Sequence, residues 1–263
     1  MNRKGHIEDK TLEHREERKK IFNRRIVLAV CGVILIVMAV LLFKGCISSK
    51  EKKKQNEASL QSDVSESDIV ENPDEISENY YAESVFIGNS FIDDMMMYDL
   101  VKDADYFARV GLNVSDAATK TTATGKVPII DEIAGAKKYR KVFMMFGENE
   151  LGWQSEETFV RLYGDLVDKV REYQKDAKIY LLAVTPITKK VSDKNEDCTN
   201  NERIAEYNAL IKRLAEDKNA VYADIHSAVA GEDGALPDEA ASDGIHFGME
   251  YYKKCLLYIQ NNY

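Results

Sequence analysis

Past residue 80 the chain alternates short apolar runs with longer amphipathic stretches. ESVFIG at 83–88, YFARV at 106–110, KVFMMFG at 141–147, KIYLLAV at 178–184 and AVYADI at 220–225 are near-continuous in large apolar residues. Continuous rather than alternating apolarity predicts strands covered on both faces, as in a buried parallel sheet. Between them, 157–174 sets Phe159, Leu162, Tyr163, Leu166, Val167 and Val170 at helical spacing, with Arg161, Asp165, Asp168 and Lys169 turned outward. Residues 201–217 repeat the pattern through Ile204, Tyr207, Leu210, Ile211 and Leu214, and 249–260 closes the chain similarly. Strands alternating with helices predict an α/β fold over 81–263: a three-layer α/β/α sandwich around a five-stranded parallel sheet.

The first eighty residues follow a different pattern. IVLAVCGVILIVMAVLLF, residues 26–43, is an unbroken apolar run of 18, roughly 27 Å long as a helix against a hydrocarbon core of about 30 Å. It is expected to be a transmembrane helix. A cleaved signal peptide fits less well, since the charged arm before the run is long and no A-x-A follows; a lipoprotein signal ending at Cys46 would have to tolerate Lys44. The arm, residues 1–25, holds nine Lys/Arg against five Asp/Glu. Arg24, Arg25, Lys19 and Lys20 before the run, set against Lys44, Lys50 and Lys52 to Lys54 after it, leave a modest positive-inside bias, which predicts a cytoplasmic N-terminus and an extracytoplasmic C-terminal domain. Residues 44–80, polar and poor in large apolar groups, read as a disordered linker.

Charge and cysteine usage narrow the classes. From residue 55 onward there are 22 Lys/Arg and 39 Asp/Glu, a field that repels phosphate backbones, so nucleic acid is not an expected partner. Cys31 and Cys46 lie within or at the end of the apolar run, leaving Cys198 and Cys255, which read as free thiols rather than a disulfide scaffold.

In an open α/β sheet the chemistry gathers at the carboxyl ends of the strands. The first strand ends in FIGNSF, with Gly88, Asn89 and Ser90 at the start of a following helix; by itself this is also an ordinary helix cap. The second ends in RVGLNVSD with Gly111, and the third in FGENELGW with Gly147 and the amide of Asn149. Near the C-terminus SDGIHFG sets Asp243 three residues before His246, a spacing at which a carboxylate can orient an imidazole. Other polar residues carry less. His6, His14 and His226 read as surface or structural, Asp93-Asp94 as a solvated or helix-start pair with no metal-ligand company, and Gly125-Lys126 fails as a phosphate loop because Lys120 stands where its first glycine would be. Trp153 suits a sugar-binding face and a core plug equally.

These four segments, in this order, resemble the four marker blocks of the SGNH (GDSL-like) hydrolase family over roughly residues 83–263. Gly88-Asn89-Ser90 looks like its first block, Gly111 like its second, Gly147-Glu148-Asn149-Glu150 like its third, and Asp243 to His246 like its fourth. The resemblance implies a flavodoxin-like sheet, Ser90 as nucleophile, His246 as general base and then acid, and Asp243 as the group that fixes the histidine tautomer. It also implies an oxyanion hole from the backbone N–H groups of Ser90 and Gly111 and the side chain of Asn149, with Asn89, Gly147 and Glu150 supporting and neither metal nor cofactor. Asn89 departs from the family's usual Asp, and Glu150 from a frequent Asp. The expected reaction is hydrolysis of carboxyl esters, O-acetyl groups of cell-wall or surface polysaccharide or a small ester, through an acyl-serine intermediate. Two alternatives stay open: O-acyl transfer with a membrane acyl-transfer partner, and a non-catalytic glycan-binding module on the same scaffold.

Overall fold

A computed structural model describes residues 72–122, 125 and 127–263. The basic arm, the apolar run 26–43, Cys31, Cys46 and linker residues 44–71 lie outside the described residues. No helix among the described residues is long and apolar enough to cross a membrane.

Five parallel strands form one sheet: β1 (Ser84–Gly88), β2 (Asp105–Ala108), β3 (Lys141–Met145), β4 (Lys178–Leu182) and β5 (Val221–Ala223), in the order β2-β1-β3-β4-β5. Register runs Val85 to Asp105, Val85 to Val142, Val142 to Ile179 and Tyr180 to Val221. Every residue of β1 and β3 is buried, which is why, past Ser84 and Lys141 at their starts, these runs do not alternate apolar with polar positions. The order reverses direction between β1 and β3, so a crevice opens beyond their carboxyl ends.

Eight helices cover the sheet among the described residues: α1 (Glu78–Tyr81), α2 (Ser90–Tyr98), α3 (Ile129–Gly135), α4 (Glu156–Tyr173), α5 (Lys189–Ser192), α6 (Asn201–Asp217), α7 (Ile225–Val229) and α8 (Met249–Asn262). Val85, Ile87, Val142 and Met144 pack on the face held by α3, α4 and α6. Phe86, Phe143 and Tyr180 pack on the opposite face with α1, α2, α7 and α8. On that second face the rings of Phe86, Phe143 and Tyr180 stack in sequence at 4.7 and 4.6 Å between centroids. Such stacked pairs contribute about 0.5–1.5 kcal/mol each beyond their burial and hold neighbouring strands in register.

The domain begins earlier than the polar composition of 44–80 suggests. Tyr80 and Tyr81 are buried, and Ile76 packs against the same core. Gln260 of α8 clasps the incoming segment, accepting from the Ser77 N–H at 2.9 Å and donating to the Glu75 carbonyl at 2.7 Å, while Asn261 donates to the Pro73 carbonyl. The linker reading therefore fails for residues 72–80. Their few apolar side chains suffice because α8 and the sheet supply the rest of the core, a contribution that local composition does not reveal.

Tyr81 is the pivot of this attachment: it is fully buried, touches the rings of Tyr80, Phe86 and Phe143, and donates its hydroxyl to the Leu256 carbonyl at 2.6 Å. Tyr81→Ala is expected to destabilise the domain by about 3–5 kcal/mol, as large-to-small aromatic truncations do. A fall in the midpoint of urea denaturation measures it.

Candidate active site

The turn after β1 carries the first group. Asn89 sits at the N-cap of α2 and its side-chain oxygen accepts the Phe91 N–H at 3.1 Å, so the helix starts at Ser90. That placement sets the Ser90 hydroxyl among the unpaired N–H groups of a helix amino end, where negative charge is favoured.

The second group comes from the loop before α8. Asp243 accepts the backbone N–H groups of Ile245 and His246 on Oδ1 at 2.9 and 2.8 Å, and its Oδ2 lies 2.9 Å from His246 Nδ1. The tight fold between them depends on Gly244, whose φ is +83° and whose missing Cβ would fall 2.4 Å from Val191 Cγ2 and 2.5 Å from Thr188 Oγ1. Thr188 in turn donates its N–H to the Gly244 carbonyl at 2.9 Å. His246 Nε2 then reaches Ser90 Oγ at 3.2 Å. Ser90 and a pair more than 150 positions further along the chain thus form one continuous hydrogen-bonded line.

Charge follows from this contact set. The hydrogen bond to Asp243 raises the His246 pKa to about 9; burial opposes the rise, and Glu148, Asp243 and Asp94 add to it. Burial disfavours the Asp243 carboxylate, but hydrogen bonds from the His246 ring and from the Ile245 and His246 N–H groups outweigh it. They hold the carboxyl well below its ordinary range.

The loops after β2 and β3 complete the rim. Gly111 has φ +72° and Gly147 φ +123°, and a Cβ on Gly147 would meet Val184 Cγ2 at 2.8 Å. Asn149 donates its side-chain N–H to the Leu112 carbonyl at 2.8 Å, fixing its amide beside the Gly111 turn. Glu150 is fully buried and spans both loops, accepting the Val114 N–H on Oε1 at 2.7 Å and the Gly147 N–H on Oε2 at 2.9 Å.

A family model for the GDSL-like lipase/acylhydrolase family matches residues 88–254, a stretch that contains all of these groups. The chain belongs to that family. Among solved structures, this acylhydrolase is similar in fold to a Streptococcus pneumonia protein named as a platelet activating factor (TM-score 0.55, 17% identity, covering 68% of this chain and 83% of that one). It is also similar to a GDSL-like lipase from Bacteroides thetaiotaomicron (TM-score 0.52, 16% identity, 68% and 85% covered). A third is LAE5, an alpha/beta hydrolase enzyme from the metagenome of Lake Arreo (TM-score 0.50, 17% identity, 68% and 94% covered). No match was found among curated proteins.

Elsewhere in the acylhydrolase the sequence expectations divide. Asp93 lies in the first turn of α2, as a helix-start pair would, but Asp93 and Asp94 are buried rather than solvated: α2 turns them toward the interior, where Asp94 Oδ2 accepts from the Tyr252 hydroxyl at 3.4 Å. Helical phase relative to a neighbouring helix decides this, and local charge pattern does not show it. Glu148, which carried no expectation of its own, lies within 3.4 Å of the Asn89 side-chain amide and faces His246, Asp94 and Asp243. His226 is structural, its Nδ1 lying 3.1 Å from the Val184 carbonyl. Trp153 packs against the core. Cys198 is exposed and Cys255 buried, both as free thiols, and no group of metal-ligating side chains occurs among the described residues.

Glu150 gives the acylhydrolase a measurable signature. Burial pushes its carboxyl from 4.5 up to about 7, against backbone N–H bonds from Val114, Gly147 and Glu150 itself that favour the ionised form. The folded state therefore holds a proton that the unfolded chain releases between these two values, so stability from this residue is present at low pH and declines as pH rises through 7. The decline amounts to about 3 kcal/mol. Glu150→Gln is expected to lack it, so urea midpoints of wild type and variant should diverge between about pH 5 and about pH 8.

Proposed function

We propose that this acylhydrolase is an extracytoplasmic serine esterase that removes O-acetyl groups from cell-wall or surface polysaccharide, with Ser90, His246 and Asp243 as its catalytic triad. The observation that carries the triad is the unbroken line from Ser90 Oγ through both ring nitrogens of His246 to Asp243 Oδ2, at 3.2 and 2.9 Å.

In the reactive state His246 is neutral, with the Nδ1–H donating to Asp243 and the Nε2 lone pair accepting the Ser90 hydroxyl proton. Ser90 Oγ attacks the ester carbonyl carbon as Nε2 takes that proton. The tetrahedral oxyanion is received by the backbone N–H groups of Ser90 and Gly111 and by the second N–H of the Asn149 amide, the first being held by Leu112. Collapse breaks the bond to the sugar oxygen, which leaves with the proton from His246, and the acyl group remains on Ser90. Water then repeats the sequence, giving up a proton to His246 and releasing the carboxylic acid and free Ser90.

Substrate class is argued from access and location. The side chains of His246 and Asp243 keep 42% and 53% of their surface exposed, so the base and its carboxylate stand at an open rim above the buried Ser90. An ester carried on a bulky polymer suits that surface better than a long acyl chain needing an enclosed apolar slot. The apolar run 26–43 and the basic arm before it support anchoring in the cell membrane with the domain outside.

Ser90→Ala is expected to lower turnover of 4-nitrophenyl acetate by about 10³ or more with unchanged thermal stability. An unaltered rate overturns the triad. Because only neutral His246 accepts the proton, kcat/KM should climb about tenfold per pH unit on the acid side and level off near pH 9, the value at which Asp243 holds the imidazole. On O-acetylated wall polysaccharide the expected product is free acetate; acetyl appearing on an added glycan without free acetate would replace hydrolysis by transfer.

A further inference from the structure

Beneath the triad lies a contact that the reaction as described does not use. Asn89 has two separate tasks: its oxygen caps α2 on the Phe91 N–H, and its amide nitrogen donates to Glu148 Oε2 at 3.4 Å. One side chain therefore joins the nucleophile turn after β1 to the loop after β3, which also carries Asn149. Position 89 is fully buried, where a second carboxylate facing Glu148 would meet like charge at close range.

We propose that Glu148 is a positioning residue that works through Asn89: it supplies from the β3 loop the negative charge that stabilises His246 when Ser90 passes its proton to the ring. The proposal rests on the triad reading given above. An amide at 89 is what this arrangement needs, because it can cap the helix with its oxygen and hold the carboxylate with its nitrogen. An Asp at 89 could do only the first.

The groups facing this unit come from four elements. Asp243 approaches from the same loop as His246, Ser90 and Asp94 from α2, Tyr252 from α8, and Glu150 from the loop of Glu148 itself. Glu148, Asp243 and Asp94 all act to favour the charged ring of His246. Asp243 bonds the ring directly; Asp94 accepts from the Tyr252 hydroxyl. Glu148 is the member tied to the nucleophile turn, and its own carboxyl is pushed upward by burial and by Asp94 and Asp243, while His246 and the Asn89 amide pull it down. The ring and the carboxylate thus support each other's charged forms.

The test is the pH profile of kcat/KM for 4-nitrophenyl acetate in the full chain, measured for Glu148→Gln, Asn89→Asp and the double variant. Glu148→Gln should move the acid-limb midpoint down by roughly one pH unit, the usual effect of one nearby opposite charge. Asn89→Asp alone should lose about tenfold in turnover, because two carboxylates then compete for one site. The double variant, with the amide at 148 and the charge at 89, should regain most of that loss and return the midpoint toward wild type. An unmoved midpoint in Glu148→Gln, or a double variant no better than Asn89→Asp, overturns the proposal. Should Glu148→Gln fail to fold, as read by its melting temperature, the double variant decides alone. Failure of the triad reading is separately visible, since it would leave Ser90→Ala active.

Discussion

The architecture of the site hangs on one buried carboxylate. Glu150 ties the loop after β2 to the loop after β3 by accepting one backbone N–H from each, at Val114 and Gly147. Both loops are irregular, and irregular backbone has no ladder to satisfy its polar groups, so a side chain must do so. The extra methylene of Glu relative to Asp gives the reach to bridge the two. Tyr207, donating to the Glu150 carbonyl at 2.6 Å, fastens the same residue to α6. Gly111 and Asn149 therefore stand on a common support, although they belong to strands on opposite sides of β1.

Much of this was legible in the sequence, for identifiable reasons. The five strands were visible because burial on both faces removes alternation, and α4, α6 and α8 because each presents one apolar stripe. Ser90, Gly111, Asn149, Asp243 and His246 stood out because, in this order, they resemble the four marker blocks of one family. What remained hidden depends on contacts between distant segments. The burial of Asp94 is set by the phase of α2 against α8, and the attachment of residues 72–80 by Gln260 some 180 positions away. Glu148 was hidden for the same reason: nothing local distinguishes a carboxylate facing an imidazole from one facing water.

The acidic surroundings of His246 explain a tension in the design. On the proposed triad, negative charge that stabilises the imidazolium in the transition state also stabilises it at rest, and a resting imidazolium cannot accept a proton. The site favours a strong base over a readily available one. Such a choice suits a reaction in which the developing positive charge on the ring is the costly feature, as it is when an alkoxide leaving group must be protonated late.

The clasp between Gln260 and the segment at 75–77 has a consequence for how the domain can be presented. Helix α8 starts three residues after His246 and runs toward the opposite end of the strands, about 20 Å at 1.5 Å per residue, where it grips the chain just before β1 begins. The clasp thus lies ahead of the amino end of β1, whereas Ser90 follows its carboxyl end. Load applied at residue 72 meets the Gln260 and Tyr81 contacts before it reaches Ser90. The carboxyl ends of the strands, where Ser90 and His246 meet, are left free of this attachment.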